Sequence, residues 1–357
     1  MTVAPSIPIF DGHNDALLRM GEDDFSFLDW NAFGGLDLPR AQSGGFAGGF
    51  FAVYVHTKGL VLPRNPDSAM KMLTSALSNV AEPDQLPDLD YARAEALAMM
   101  ARLFRLEWDS GGRLKVVRTA AELKLALQTG VMAAVLHLEG AEPIDTNLDA
   151  LEVFYQAGMR SLGIVHSRPN AFAHGVPIEF NRSPDTGPGL TDAGRELVKA
   201  CNRLRIMVDL SHLNEKGFWE VAELSNAPLV ATHSCAHALC ASTRNLTDEQ
   251  IRSIGESGGM IGLNFHVGFL RDDGAIDADT PLEVAVQHIA HMVNMAGIDC
   301  VGLGSDYDYI VPPKGIKTAA ELSNLVEALR DAGFNGEELE KLLYRNWIRV
   351  LRETWGE

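Results

Sequence analysis

The strongest constraint on this chain is a rhythm in its hydrophobicity. Short apolar, β-branched runs recur along nearly the whole sequence, each followed by a polar residue of catalytic type and then by a stretch with helical spacing. Eight such runs can be counted, at 7–10, 49–55, 132–138, 161–165, 206–210, 229–232, 260–265 and 300–304. They are continuously apolar rather than alternating, as strands covered on both faces are. Helical stretches at 191–203, 214–224, 247–257 and 281–295 separate the later runs. Three of them open on a capping residue, with Thr191 before Asp192, Asn214 before Glu215, and Thr247 before Asp248 and Glu249. Strand followed by helix, repeated, calls for parallel strands joined by right-handed crossovers. The expected fold is therefore α/β, a (β/α)8 TIM-like barrel with its site at the C-terminal ends of the strands.

Two insertions interrupt the rhythm. Residues 56–131 hold more than one crossover, including the helical stretch 90–108, and are expected to carry two or three helices. Residues 167–190 are rich in Pro, Gly and Asn and read as one long loop. With 357 residues, 46% of them hydrophobic, and no repeat or linker, the whole chain, 1–357, is expected to be one barrel domain. A formal net charge of -18 argues against a phosphate-backbone partner, so no nucleic acid is expected. There is no signal-peptide pattern at the start and no apolar stretch of membrane-spanning length, so no membrane and a cytoplasmic location are expected. Cys201, Cys235, Cys240 and Cys300 are scattered and read as reduced thiols.

The ionisable residues gather where the runs end. Run one leads into Asp11-Gly12-His13-Asn14-Asp15, run three into His137-Leu138-Glu139, and run four into His166. Run five leads into Asp209-Leu210-Ser211-His212, run six into His233, run seven into Asn264-Phe265-His266, and run eight into Asp306. In a barrel those ends share one mouth. His13 and Asp15, one residue apart, point the same way on an extended strand and can bind one metal ion. Glu139 can bridge two ions because a carboxylate has two oxygens. His212 and His233, from neighbouring strands, can complete a second shell. Imidazole and carboxylate suit zinc, with a position left for water. Two divalent ions against Asp15 and Glu139 leave a cationic centre that acidifies this water.

Each of these residues alone has a structural reading, and Asp209 stays ambiguous between ligand and support for a ligand. Other chemistries fit less well. Gly44-Gly45 through Gly48-Gly49 lacks the Gly-Lys-Ser/Thr of a phosphate loop and reads as close backbone packing. Ser211 and Ser234 sit in no nucleophile elbow, and Cys235 resembles a thiol nucleophile only superficially.

Taken together, the segments 11–15, 138–140, 155–160, 208–212, 233–234, 242–245, 264–265 and 304–308 resemble the membrane (renal) dipeptidase family of zinc metallopeptidases, in the amidohydrolase superfamily. The resemblance implies two zinc ions, one held by His13 and Asp15, the other by His212 and His233, with Glu139 as the bridge. It implies that His166 polarises the scissile carbonyl or stabilises its oxyanion, that Arg244 holds the substrate's terminal carboxylate, and that Asp306 shuttles the proton. The implied reaction is attack of a metal-held hydroxide on a dipeptide with a free C-terminus, with L- or D-residues tolerated second. Two alternatives remain: hydrolysis of another amide such as an N-acyl amino acid or a lactam, and a non-catalytic binding barrel. The small dipeptide is the expected partner, and a homodimer is left open. Ala141-Glu142, His266 and the 167–190 loop depart from the family's usual pattern, which leaves side-chain specificity open.

Overall fold

The computed structural model describes residues 7–22, 25–58 and 86–356. All eight apolar runs form strands. They are β1 (Ile9–Asn14), β2 (Phe46–Tyr54), β4 (Met132–Glu139), β5 (Met159–Gly163), β6 (Met207–Asp209), β7 (Val230–Ser234), β8 (Met260–Leu263) and β9 (Val301–Leu303). A ninth, β3 (Leu114–Val116), was not expected from the sequence: three residues are too few to show a pattern. It pairs with the first residues of β4, on the edge that β5 takes over from Leu136 onward.

Every pairing between these strands is parallel, and β2 pairs with β4 from Gly48↔Ala133 to Tyr54↔Glu139, which closes the sheet into a barrel. The glycines at the start of β2 serve that closure. A Cβ on Gly48 would stand 2.9 Å from the Ala133 Cβ, and one on Gly49 3.0 Å from that of Asp11.

The expected caps are in place. Thr191, Asn214 and Thr247 accept hydrogen bonds from Gly194, Gly217 and Gln250 N–H at the starts of helices Asp192–Leu204, Glu215–Leu224 and Asp248–Glu256. Of the 56–131 insertion, residues 59–85 lie outside the described residues; the remainder holds helices Leu89–Asp109 and Ala120–Thr129 around β3. Residues 167–190 form a loop without helix, touching the barrel through isolated bridges at Gly175↔Leu213 and Phe180↔Ser242. The four cysteines are buried and unbridged.

The bottom of the barrel is filled from outside the sheet. Trp347, on helix Asn346–Trp355, is fully buried with Phe10, Phe50, Val135, Met207, Val230 and Met260. Its ring lies 5.2 Å from Phe50 and 6.3 Å from Phe10 between centroids, and its indole N–H donates to the Leu303 carbonyl at 3.1 Å. A Cβ on Gly12 would come within 2.5 Å of this ring, so glycine there makes room for the tryptophan. Phe50 in turn lies edge-on under His137, 6.1 Å between centroids, and the plug thus forms the floor of the polar layer above. Trp347→Ala is expected to cost about 3–5 kcal/mol of stability in denaturant unfolding, the range for emptying a buried aromatic site. An unfolding midpoint within error of wild type would contradict this role.

Candidate metal centre

The polar layer begins where β1 turns into helix Ala16–Arg19. His13 is fully buried, and Asp15, at the head of that helix, brings Oδ1 to 3.9 Å from His13 Nε2. Glu139 ends β4, and its Oε1 lies at the centre of the cluster. It is 3.1 Å from His212 Nε2, 3.4 Å from His233 Nε2, 3.7 Å from His13 Nε2 and 4.0 Å from His166 Nε2. The two Nε2 atoms of His212 and His233 face each other at 3.1 Å.

Backbone geometry contributes to this convergence. His212 and Asp306 both occupy the left-handed region, at φ 68° and 64°, where a non-glycine residue persists only if its surroundings hold it. Asp306 is held on both sides. Its N–H donates to the His13 carbonyl at 2.9 Å, and the preceding Ser305 donates its N–H and hydroxyl to Asp11 at 2.6 and 2.8 Å.

The outer nitrogens of His212 and His233 are oriented by hydroxyls. His212 Nδ1 meets Ser167 Oγ at 2.9 Å, and His233 Nδ1 meets Thr232 Oγ1 at 2.8 Å. Thr232 spends its hydroxyl proton on Asp209, so its oxygen accepts from His233 Nδ1–H, which leaves the lone pair of Nε2 facing the cluster. Asp209 also accepts the N–H groups of Ser211 and Thr232, and its Oδ2 is 3.9 Å from His233 Nδ1. These bonds place Asp209 in support of Thr232 and Ser211, and it also lies within ligand distance of His13 and His233. His137 sits one layer lower, with Nδ1 on Ser161 Oγ at 2.8 Å.

The residues present fit a cation. Both ring nitrogens of His13 and Oδ1 of Asp15 are buried without a hydrogen-bond partner, a state that buried polar atoms rarely keep unless something else satisfies them. Burial pushes the imidazoles of His13, His166, His212 and His233 well below their ordinary pKa, so they stand neutral, as ligands must. Burial, reinforced by the neighbouring carboxylates, pushes Asp15 and Glu139 well above theirs; a divalent cation reverses that tendency.

Asp306 faces the same space, its Oδ1 3.9 Å from His13 Nε2. Burial pushes its carboxyl up to about 6, opposed by a hydrogen bond from Asn264 and by the charge of Arg244. Asn264 Nδ2 donates to Asp306 Oδ2 at 2.8 Å, while its own Oδ1 accepts the His266 N–H at 2.7 Å. That second bond fixes which way the amide points. Sequence reasoning saw Asn264 only as part of a motif; its place directly after β8 was the available signal.

Arg244 is buried behind His233, with Nη1 on Ser234 Oγ at 2.9 Å, Nη2 on the His233 carbonyl at 2.8 Å, and Nε unpartnered. Asp15, Glu139, His166, His212 and Asp306 line a cleft of about 50 Å³, and Arg244 lies in the wall rather than on that lining. His266 lies off the lining too, its Nδ1 accepting the Val311 N–H at 3.3 Å. Leu18, Tyr54, His56, Ile178, Phe269 and Tyr309 complete the cleft. None carried a sequence signal, and β2 supplies Tyr54 at its end, with His56 two residues beyond it.

A closed parallel barrel with buried histidines and carboxylates gathered at its strand ends is an arrangement that can hold metal ions at the mouth where barrel enzymes build their sites. The family described as membrane dipeptidase (peptidase family M19) matches residues 1–355, and the chain belongs to it. The chain is 48% identical to a metallo peptidase from Rhodobacter sphaeroides solved with a phosphinate mimic of the dipeptide L-Ala-D-Ala, over 98% of this chain and 99% of that one, with a TM-score of 0.90. It is 47% identical to a structure described as dipeptidase AC, a metallo peptidase, over 99% and 100% of the two chains, with a TM-score of 0.89. It is also 47% identical over 258 residues to an uncharacterized protein in the pqqA 5′ region of Klebsiella pneumoniae, covering 72% of this chain and 95% of that one. The protein is a metallo dipeptidase, a hydrolase of peptide bonds. Among the described residues no helix is long and apolar enough to cross a membrane.

Because His13 and Asp15 keep buried polar atoms without a hydrogen-bond partner, a metal bound there is expected to add to stability. Chelation is expected to lower Tm by several degrees and added zinc to restore it, since a ligand at a thousand times its Kd stabilises the folded state by about 4 kcal/mol. Glu139→Gln is expected to shrink that shift. A Tm indifferent to chelator would argue that the cluster holds no metal.

Proposed function

We propose that the protein is a binuclear zinc dipeptidase cutting dipeptides that carry a free C-terminal carboxylate, with L- or D-residues accepted in the second position. The convergence of the Nε2 atoms of His13, His212 and His233 on Glu139 Oε1, with Asp15 beside His13, carries this reading. One carboxylate serves two ligand sets there, and five ligands are too many for one open tetrahedral site. Two zinc ions bound there would supply Lewis acidity toward the carbonyl oxygen and an acidified water.

The chain's own groups do the rest. Asp306, held through Oδ2 by Asn264, takes the proton of the attacking water and returns it to the leaving amine nitrogen. His166, kept neutral by burial, hydrogen-bonds the carbonyl oxygen as charge develops on it. Arg244 keeps its Nε–H and further Nη hydrogens for the terminal carboxylate, a charge-assisted contact that sets the distance from that end of the substrate to the reacting centre. Contacts that read only this charge need not read the configuration of the second α-carbon. The relative bound to an L-Ala-D-Ala mimic, at 48% identity over 98% of the chain, supports that tolerance.

Three measurements test the proposal. Elemental analysis is expected to give two metal ions per chain; fully active protein with only traces of metal would sink the binuclear reading. Asp306→Asn is expected to keep its metal and lose turnover by roughly two orders of magnitude or more, the scale of a general acid/base. A good dipeptide is expected to exceed its amide in kcat/KM by at least about tenfold, since the amide forfeits a charge-assisted hydrogen bond worth about 1.5–3 kcal/mol. Arg244→Ala is expected to erase that preference. Equal efficiency on acid and amide in the wild type would instead favour a broader amide hydrolase.

A further inference from the structure

One buried ion pair beside the cleft has no part in the mechanism above. The side chains of Arg168 and Glu142 are 7% and 5% exposed, with Arg168 Nε donating to Glu142 Oε1 at 2.9 Å. Arg168 Nη1 donates to the Tyr54 hydroxyl at 3.2 Å, and Nη2 to the Val55 carbonyl. One planar guanidinium thus ties together the residues after β4, the end of β2, and the start of the 167–190 loop.

Desolvating such a pair costs enough that well-packed apolar groups of equal volume often serve stability as well or better. What the pair does provide is a fixed geometry, because a guanidinium bonded along three directions cannot rotate. Tyr54 carries that geometry to the chemistry. It pairs in register with Glu139 across β2 and β4, and its ring packs against His166 at 4.4 Å between centroids, tilted by 39°. On the far face of His166 lies His212, at 4.1 Å. The His166 ring is therefore sandwiched between a metal-ligand candidate and a tyrosine whose hydroxyl Arg168 holds.

We propose that Arg168, clamped by Glu142, is a positioning residue: it fixes Tyr54 by its hydroxyl, and the Tyr54 ring fixes the angle at which His166 meets the scissile carbonyl oxygen. This rests on the assignment of His166 to that oxygen. The Glu142–Arg168 pair acts only through His166, so its removal lowers kcat, leaves ground-state binding alone, and has no effect once His166 is gone.

The test is a double-mutant cycle in steady-state kinetics on one good dipeptide, with Arg168→Met and Tyr54→Phe each made in wild type and in His166→Ala. Arg168→Met is expected to lower kcat by about ten- to a hundredfold, the penalty of a misplaced group, with KM within about twofold of wild type. Tyr54→Phe, which removes one oxygen and keeps the ring, is expected to lower kcat by about three- to tenfold. In His166→Ala neither change is expected to lower kcat further. If Arg168→Met fails to fold because Glu142 is left buried and unpaired, Tyr54→Phe and the double variant Glu142→Gln/Arg168→Met carry the same comparison. Losses of equal size in both backgrounds, or a loss confined to KM, overturn the proposal. A His166→Ala variant with wild-type kcat overturns the assignment of His166, and the proposal with it; loss in His166→Ala together with full additivity overturns the positioning alone.

Discussion

The mouth of the barrel is organised around one carboxylate oxygen. Glu139 Oε1 has the Nε2 atoms of His13, His166, His212 and His233 within 3.1 to 4.0 Å, and those four imidazoles come from different strands or the turns that follow them. Neutral imidazoles crowded onto a buried carboxylate are a poor arrangement without a cation, because lone pairs face lone pairs and nothing offsets the loss of hydration. The surrounding hydroxyls and backbone groups only make sense as devices that hold that arrangement open. Ser167 and Thr232 fix the outer ring nitrogens, Asp209 fixes Thr232, and Asp11 fixes the turn before Asp306. Each of these supports would be an extravagance in a merely structural core.

Much of this could be read from the sequence because a parallel barrel separates its information cleanly. Apolar runs mark the strands, and the residues that follow them mark the mouth. What the pattern hid was where the ladder stops. The run 7–10 suggested an end at Phe10, yet β1 continues to Asn14, since backbone pairing is indifferent to the polarity of Asp11, His13 and Asn14 once these face an interior that receives them. β3 was illegible for the opposite reason: its three residues carry too little pattern to distinguish them from a turn.

The site divides in the same way. Side chains of ligand and acid-base type have a restricted chemistry and announce themselves at strand ends, so His13, Asp15, Glu139, His212 and His233 were named from the sequence as ligands and His166 and Asp306 as catalytic groups, and all seven do converge. Arg244 was named too, but its depth behind His233 is a matter of packing that no spacing reveals. Asn264, Tyr54 and the cleft wall formed by Ile178 and Phe269 belong to common residue types whose importance lies wholly in their neighbours. Glu142 was singled out in the sequence only as a departure and Arg168 lay unremarked within the 167–190 loop, and their meeting became visible in three dimensions.

One seam in the barrel has a consequence for how the protein loses activity. β1 and β9, the first and last strands, share one register pair, Asp11↔Leu303, and a bridge past their ends, Asn14↔Tyr307, and the seam is sewn further by Ser305 on Asp11, by Asp306 N–H on the His13 carbonyl and by Asp15 N–H on the Tyr307 carbonyl. Those stitches join residues up to 294 positions apart, so they close the largest loops in the chain and are among the contacts a folding chain makes late. Like β6–β7, which also shares one register pair, this seam has a short ladder, and local opening begins where few bonds hold. Since His13 and Asp306 stand on opposite lips of this seam, a gap there would part the residue proposed to hold metal from the one proposed to carry the proton while the remaining strands stayed paired. Heat or denaturant would then silence the enzyme before it unfolds.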